Sequence, residues 1–94
     1  MSKAPSAFLV RITGRVQGVG FRMWTQEEAE RLGLRGWVRN ERDGSVTAMI
    51  AGSGEATAIM LKLLWTGPRG AVVSNVDAKA ASAEAAPASF EITG

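Results

Sequence analysis

The sequence predicts an α+β domain in the order β-α-β-β-α-β, followed by one short extra strand. Two segments with helical spacing of apolar residues separate short stretches rich in β-branched residues. The 94 residues are 46% hydrophobic and 21% charged, which is typical of a globular protein with one core. Because each predicted helix has one apolar face, we expect both helices on the same side of an antiparallel sheet.

The first half of the chain contains a strand, a glycine-rich loop and a helix. Residues 1–6 are predicted to be a flexible N-terminal arm, and residues 7–94 a single domain. The β-branched segment 7–13 predicts the first strand, and three glycines within 14–20 indicate a loop. Residues 21–32 have helical periodicity. The apolar face of this helix comprises Phe21, Trp24, Thr25, Ala29 and Leu32.

The second half begins with two strands, at residues 34–40 and 45–51, joined by a turn containing Asp43-Gly44. Ser53 is expected to cap a second helix that ends near Trp65, before Gly67-Pro68. The residues that this helix is predicted to bury are Ala56, Ile59, Met60, Leu63 and Leu64.

The last quarter of the chain is predicted to close the sheet. Residues 71–79 form a fourth strand, the alanine-rich stretch 80–88 a connecting loop, and residues 90–92 a short final strand. Trp37 and Trp65 are expected to supply core volume, because large aromatic side chains usually pack inside a domain.

The residue types that are missing restrict the chemistry. The sequence has no cysteine and no histidine, which excludes disulfides, thiolate and imidazole nucleophiles, a Ser-His-Asp triad and the usual zinc sites. The net charge of +2 is small for a nucleic-acid-binding protein. No apolar stretch approaches the roughly 20 residues of a membrane span. We therefore expect a soluble, cytoplasmic protein that binds neither nucleic acid nor membranes.

The loop at residues 14–20 could bind an anion. Its glycines permit positive φ angles, so that successive backbone N–H groups can converge at the start of the following helix. Arg22, in the first helical turn, could add a guanidinium that makes a bidentate contact with two phosphate oxygens. The spacing matches neither a Walker A loop nor a dinucleotide fingerprint. On spacing alone, a tight strand-to-helix turn without a ligand explains these glycines equally well.

Asn40, at the end of the second strand, has two interpretations. Asparagine at a strand end most often forms a turn. Its amide could also hold a water molecule or a substrate oxygen in a fixed direction.

Two longer motifs resemble the signatures of the acylphosphatase family. They are G-R-V-Q-G-V-G-F-R at residues 14–22 and G-W-V-R-N-E-R-D-G-S-V at residues 36–46. The resemblance implies a ferredoxin-like α/β sandwich that hydrolyses acyl phosphates to a carboxylate and inorganic phosphate, without a metal or other cofactor. Arg22 matches the phosphate-binding arginine of the family, and Asn40 matches its water-orienting asparagine.

The resemblance also implies a phosphate-binding loop that acts through backbone N–H groups. Its residues are Arg15, Val16, Gln17, Gly18, Val19 and Gly20. The family often has aromatic pairs where this chain has Met23-Trp24, which could alter the shape of the pocket.

Two alternatives remain open. Domains of this type also occur attached to larger enzymes that handle carbamoyl phosphate, which would make the chain an interaction or regulatory module. RNA-recognition domains share the element order, but the strand at residues 45–51 lacks the aromatic residues on which they stack bases. We favour a monomeric enzyme whose partner is a small acyl phosphate.

Overall fold

The computed structural model describes residues 6–94, so residues 1–5 of the predicted arm at residues 1–6 lie outside that range. The strands and helices are β1 (Ser6–Arg15), α1 (Phe21–Arg31), β2 (Arg35–Asn40), β3 (Val46–Gly52), α2 (Gly54–Thr66), β4 (Val72–Ala80) and β5 (Phe90–Ile92), with a 3-10 turn at Ala83–Ala85. Ser6, which the sequence predicts to belong to the arm, is the first residue of β1 and pairs with Gly52.

The strands form one sheet in the order β4-β1-β3-β2-β5. β1 runs antiparallel to both β3 and β4, and β2 runs antiparallel to β3. This is the ferredoxin-like arrangement that the sequence predicts. β5 pairs with β2 in parallel, so the sheet is mixed rather than wholly antiparallel. The reason is that the chain reverses after β4 before it reaches the far edge of the sheet.

Both helices pack on the same face of the sheet, as expected. Alternate side chains of the three central strands meet apolar side chains of both helices in one core, since side chains alternate between the two faces of a strand. This core includes Val10, Ile12, Val38, Ala48 and Ile50 from the sheet, and Phe21, Ala29, Met60 and Leu64 from the helices. Neither helix in the described part of the chain is long and apolar enough to cross a membrane.

The core prediction was wrong for two residues of α2, and a third predicted core residue, Leu63, is only half-buried. Trp65 is 51% exposed and Ile59 is 40% exposed. The helix buries a narrow stripe that consists of Ala56, Thr57, Met60 and Leu64. Because each residue advances about 100° around a helix, Ile59 and Trp65 lie beyond opposite edges of that stripe.

Trp37 also lies outside the main core. Gly36 and Val38 face the helices, so Trp37 points to the opposite face of the sheet. There it packs, half-buried, against a second apolar cluster formed by Ala7, Met49 and Ala51. The guanidinium of Arg39 lies 4.7 Å from the centre of the Trp37 ring.

Gly36 allows the close approach of β2 to β3. Its φ is 143°, and a Cβ atom at this position would lie 1.8 Å from the carbonyl oxygen of Met49. That contact is with backbone, which cannot move aside without breaking the β2–β3 pairing. A side chain is therefore excluded from this position.

We expect Gly36→Ala to lower the free energy of unfolding by more than about 2 kcal/mol, because the clash adds to backbone strain. Gly33→Ala is the matched control, since Gly33 also has a positive φ of 73° but has no atom within 4 Å of its Cβ position. The control should lose only about 1 kcal/mol. Urea denaturation measures both values, and equal losses would show that the Met49 contact is unimportant.

Candidate functional site

A cavity of about 280 Å³ opens where the loop before α1 meets the ends of β2 and β5. The residues that line it are Val16, Gly18, Gly20, Phe21, Arg22, Met23, Asn40 and Ile92. The fold thus brings Arg22 and Asn40, which are 18 positions apart in the sequence, to one cavity with part of the glycine-rich loop.

The loop leaves a set of backbone N–H groups without hydrogen-bond acceptors in the described part of the chain. Gly18 and Gly20 both have φ near 77°, and Gly20 directly precedes α1. None of the N–H groups of residues 16–20 has a hydrogen-bond acceptor among residues 6–94. The first hydrogen bond of the helix joins Trp24 N–H to the Gly20 carbonyl at 3.0 Å. Such an array of donors at a helix N-terminus is suited to an anion such as phosphate.

Arg22 adds a positive charge beside these donors. It occupies the first turn of α1, and its Nη1 donates to the backbone oxygen of Gly94 at 2.9 Å. An arginine has five N–H donors, so this single bond orients the guanidinium and leaves the others available for a ligand. The cavity therefore has one cationic side chain and several neutral donors.

Asn40 approaches the same cavity from the sheet. It is the last residue of β2, where it pairs with Val46. The following turn is closed by a hydrogen bond from Glu41 N–H to the Ser45 carbonyl at 2.8 Å. The Asn40 side-chain amide is half-buried and has no hydrogen-bond partner in the described part of the chain. It can therefore both donate to and accept from a bound molecule.

Gln17 connects the glycine-rich loop to the turn that follows Asn40. Its Nε2 donates to the carbonyl oxygens of Glu41 and Ser45, in both cases at 2.8 Å. The side chain thus binds both ends of the turn and couples the position of Asn40 to that of the loop. Sequence reasoning considered only the backbone of Gln17, because spacing does not reveal which distant carbonyls a side chain reaches.

Asp43, a residue of the same turn, connects the turn to β1. This carboxylate accepts hydrogen bonds from the Ser45 hydroxyl at 2.6 Å, from Ser45 N–H at 2.9 Å and from Arg11 at 2.5 Å. The Ser45 hydroxyl, the Ser45 N–H and Arg11 together hold the pKa of Asp43 well below its usual value of 3.8. The turn beside Asn40 is thus anchored to both the glycine-rich loop and β1.

Three residues of the predicted phosphate loop do not line the cavity with their side chains. Arg15 is exposed at the end of β1 opposite Val72, the Gln17 side chain binds the turn, and Val19 packs against the core. The structure adds Met23 and Ile92 to the cavity wall. The proximity of Met23 to Arg22 was a usable signal, whereas β5 reaches the site only through its pairing with β2.

A second groove of about 280 Å³ lies on the helix-free face of the sheet, and its lining includes Arg11, Arg39 and Lys79. Arg11 is paired with Asp43, and Arg39 with Glu41 at 2.9 Å. These carboxylates neutralise two of the three cations, and the groove contains none of the unpartnered loop amides. It is therefore a weaker candidate for an anion site.

The helix-free face also bears on the RNA-binding alternative. The residues that β1 and β3 present there include Leu9, Arg11, Thr47 and Met49, which lack aromatic rings for base stacking.

Across residues 6–94, no group of three or more histidine, cysteine or acidic residues is placed to bind a metal ion.

Comparison with known proteins matches the chain to one family. The family model for acylphosphatase matches residues 8–92. A protein named acylphosphatase from Rhizobium meliloti is 63% identical over 93 residues, which cover 99% of this chain and 98% of that protein. Among solved structures, an acylphosphatase from Coxiella burnetii has a TM-score of 0.90 at 35% identity, over 95% of this chain and 93% of the other. The Bacillus subtilis acylphosphatase also has a TM-score of 0.90, at 31% identity over 95% and 99%.

The anchoring of the turn predicts a pH dependence of stability. Because the folded-state pKa of Asp43 is depressed, its contribution is complete above the unfolded-state pKa of 3.8 and is lost as the pH falls below it. The difference in Tm between wild type and Asp43→Asn should therefore be largest near pH 7 and shrink as the pH falls below 3.8.

Two further variants test the cause of this shift. Ser45→Ala should weaken the pH dependence more than Arg11→Met does, because the Ser45 hydroxyl is the largest contributor to the lowered pKa. Thermal melts at pH values from 7 to about 3 measure the effect. A Tm difference for Asp43→Asn that stays constant across this range would contradict the assignment.

Proposed function

This chain belongs to the acylphosphatase family, and we propose that its glycine-rich loop and Arg22 bind the phosphoryl group of the substrate while Asn40 orients the attacking water. The chain is an acylphosphatase, a hydrolase of mixed carboxylic–phosphoric anhydrides. The observation that carries the proposed mechanism is the cavity shared by Arg22, Asn40 and the loop, whose N–H groups have no acceptor within residues 6–94.

The reaction consumes one water and needs no redox partner. The water oxygen forms a bond to phosphorus, and the bond between phosphorus and the acyl oxygen breaks. An acyl phosphate dianion and water thus yield a carboxylate and dihydrogen phosphate, with one water proton transferred to a phosphoryl oxygen. Atoms and charge balance without any further reactant.

The loop and Arg22 are suited to stabilise the transition state. Phosphoryl transfer passes through a loose transition state, in which negative charge is spread over the three equatorial oxygens. Backbone amides that are already oriented lose no energy in reorganising as this charge develops. The Arg22 guanidinium, which Gly94 holds at 2.9 Å, adds the positive charge that the amides lack. Positioning and charge can thus supply most of the catalysis.

Asn40 can orient the water, but it cannot remove its proton, because a carboxamide is not a useful base at neutral pH. We therefore assign the proton to an oxygen of the substrate phosphoryl group. The departing carboxylate is stable without protonation, so the site needs no general acid. Simple phosphate monoesters have far worse leaving groups, and we expect slow turnover of them.

We propose that one chain forms a complete site, because the groups that the mechanism uses, namely Arg22, Asn40 and the glycine-rich loop, meet at one cavity within the chain. We also propose that the enzyme is a monomer, which size-exclusion chromatography with light scattering tests. We also propose that the enzyme acts in the cytoplasm on a small acyl phosphate. The regulatory-module alternative predicts a binding partner that changes the rate of hydrolysis. Turnover by the isolated chain would show that no such partner is needed.

Substitution of Arg22 and Asn40 tests the two roles separately. With benzoyl phosphate as substrate and excess chelator present, the wild type should turn over rapidly. Arg22→Ala and Asn40→Ala should each lower kcat/KM by at least about 10²-fold, because each removes an interaction with the reacting groups. Inhibition by inorganic phosphate should weaken strongly in Arg22→Ala and change little in Asn40→Ala.

Circular dichroism is the control for folding in both variants. Arg22→Lys should remain impaired, because an ammonium group keeps the charge but cannot form paired bonds to phosphate oxygens. A folded wild type that hydrolyses nothing, or one that requires a metal ion, would refute the proposed mechanism.

A second prediction concerns Gln17 as a positioning residue. Gln17→Ala removes both hydrogen bonds to the turn beside Asn40. We expect kcat to fall about tenfold or more, because small displacements of positioning groups are costly. The inhibition constant of inorganic phosphate should change little, because the loop amides and Arg22 remain. Steady-state kinetics with phosphate as inhibitor separates these effects.

Gln17→Glu and Arg35→Ala serve as the comparisons. Glutamate has nearly the same size as glutamine but cannot donate to two carbonyl oxygens. The kcat of Gln17→Glu should therefore be no higher than that of Gln17→Ala. Arg35 also donates to backbone carbonyls, those of Ala83 and Ala86, but it lies away from the cavity. Arg35→Ala should lower stability while kcat stays near the wild-type value. If Arg35→Ala lost as much kcat as Gln17→Ala, the effect of Gln17→Ala would be explained by general destabilisation, and the positioning role would be wrong.

A further inference from the structure

Two exposed apolar side chains form part of the wall beside the proposed phosphate site. Met23 is 61% exposed and Ile92 is 40% exposed, although most large apolar side chains of the described chain are buried or half-buried. Met23 follows Arg22 on α1, and Ile92 belongs to β5, so the two come from different elements. Both line the same cavity as Arg22 and Asn40.

The charges around the cavity are as informative as its apolar wall. Among the described residues that line the cavity, Arg22 is the one charged residue, and the proposed mechanism commits this guanidinium to the phosphoryl group. A charged acyl group would therefore find no partner there and would lose hydration against Met23 and Ile92. An apolar acyl group would instead remove these two side chains from water.

We propose that Met23 and Ile92 bind the acyl group of the substrate and that the enzyme prefers acyl phosphates with uncharged, apolar acyl groups. This inference rests on the proposed function, because it requires the phosphoryl group to occupy the loop beside Arg22. The unbranched methionine side chain has several rotatable bonds and adapts to different shapes. Aromatic and branched aliphatic acyl groups therefore belong to the same preferred class.

The test compares substrates that differ only at the acyl group. Benzoyl phosphate and 4-carboxybenzoyl phosphate have similar size, but the second carries an additional negative charge. Acetyl phosphate has the same reacting group with almost no apolar surface. For each substrate, the ratio of kcat/KM between wild type and variant cancels the intrinsic reactivity of that substrate.

We expect Met23→Ala and Ile92→Ala each to lower kcat/KM for benzoyl phosphate by roughly three- to tenfold, the scale of a modest loss of buried apolar area. For acetyl phosphate, kcat/KM of the same variants should stay within about twofold of the wild-type value, since a methyl group buries little area. Met23→Lys should raise kcat/KM for 4-carboxybenzoyl phosphate relative to benzoyl phosphate, because it provides a partner for the added carboxylate.

The chain offers controls matched in exposure. Val72 is 61% exposed, like Met23, and Ile59 is 40% exposed, like Ile92, but neither lines the cavity. Val72→Ala and Ile59→Ala should leave all three substrates unaffected. Inorganic phosphate should inhibit Met23→Ala as strongly as wild type, because it occupies only the phosphoryl end.

The outcomes separate this inference from the proposed function. If wild type hydrolyses no acyl phosphate, the proposed function fails. If wild type is active but Met23→Ala and Ile92→Ala lower the rates of benzoyl and acetyl phosphate equally, the acyl-group assignment is wrong and the proposed function stands. The acyl-group assignment is also wrong if 4-carboxybenzoyl phosphate is hydrolysed as well as benzoyl phosphate and Met23→Lys leaves that ratio unchanged.

Discussion

The unpaired backbone between β1 and α1 is the constraint on which the site depends. The chain passes from a strand into a helix through two glycines at positive φ, Gly18 and Gly20, and leaves the N–H groups of residues 16–20 without acceptors in the described structure. Unpaired donors are costly when they are shielded from water, so a loop of this kind is stable when it faces solvent or an anion. Arg22 adds a positive charge at the same place.

The second loop of the site is anchored to the first. Asn40 is on β2, and its position relative to the glycine-rich loop depends on the turn that follows it. Gln17 binds that turn from the loop side, and Asp43 binds it to Arg11 of β1. The cavity is lined by one arginine, one asparagine and otherwise apolar or glycine residues, so the proposed chemistry depends on how these groups are positioned. Hydrogen bonds between the two loops supply that geometry.

Most of the fold could be predicted from local patterns. The predictions that were wrong concern features that local patterns do not determine. Helix α1 was predicted within one residue, because Gly20 and Gly33 mark its ends and its apolar spacing is regular. In α2 the apolar residues extend around most of the helix, so periodicity could not identify which of them face the sheet. The prediction that Ile59 is buried was wrong for this reason, whereas Trp65 was assigned to the core by its size and lies exposed. The direction of β5 depends on how the preceding loop crosses the molecule, which no local pattern encodes.

The sequence by itself determined the order of elements and the glycine-rich loop, which depend on short-range properties, namely glycine conformation and helix periodicity. The two residues proposed for the chemistry were identified by the resemblance of two uninterrupted motifs to the acylphosphatase signatures. Only the tertiary structure decided that Gln17 reaches the turn beside Asn40, and that Met23 and Ile92 share a wall of the cavity. The residues brought together in this way are 24 to 69 positions apart, and they meet because β2 pairs with both β3 and β5. Strand pairing, and not local preference, therefore completed the site.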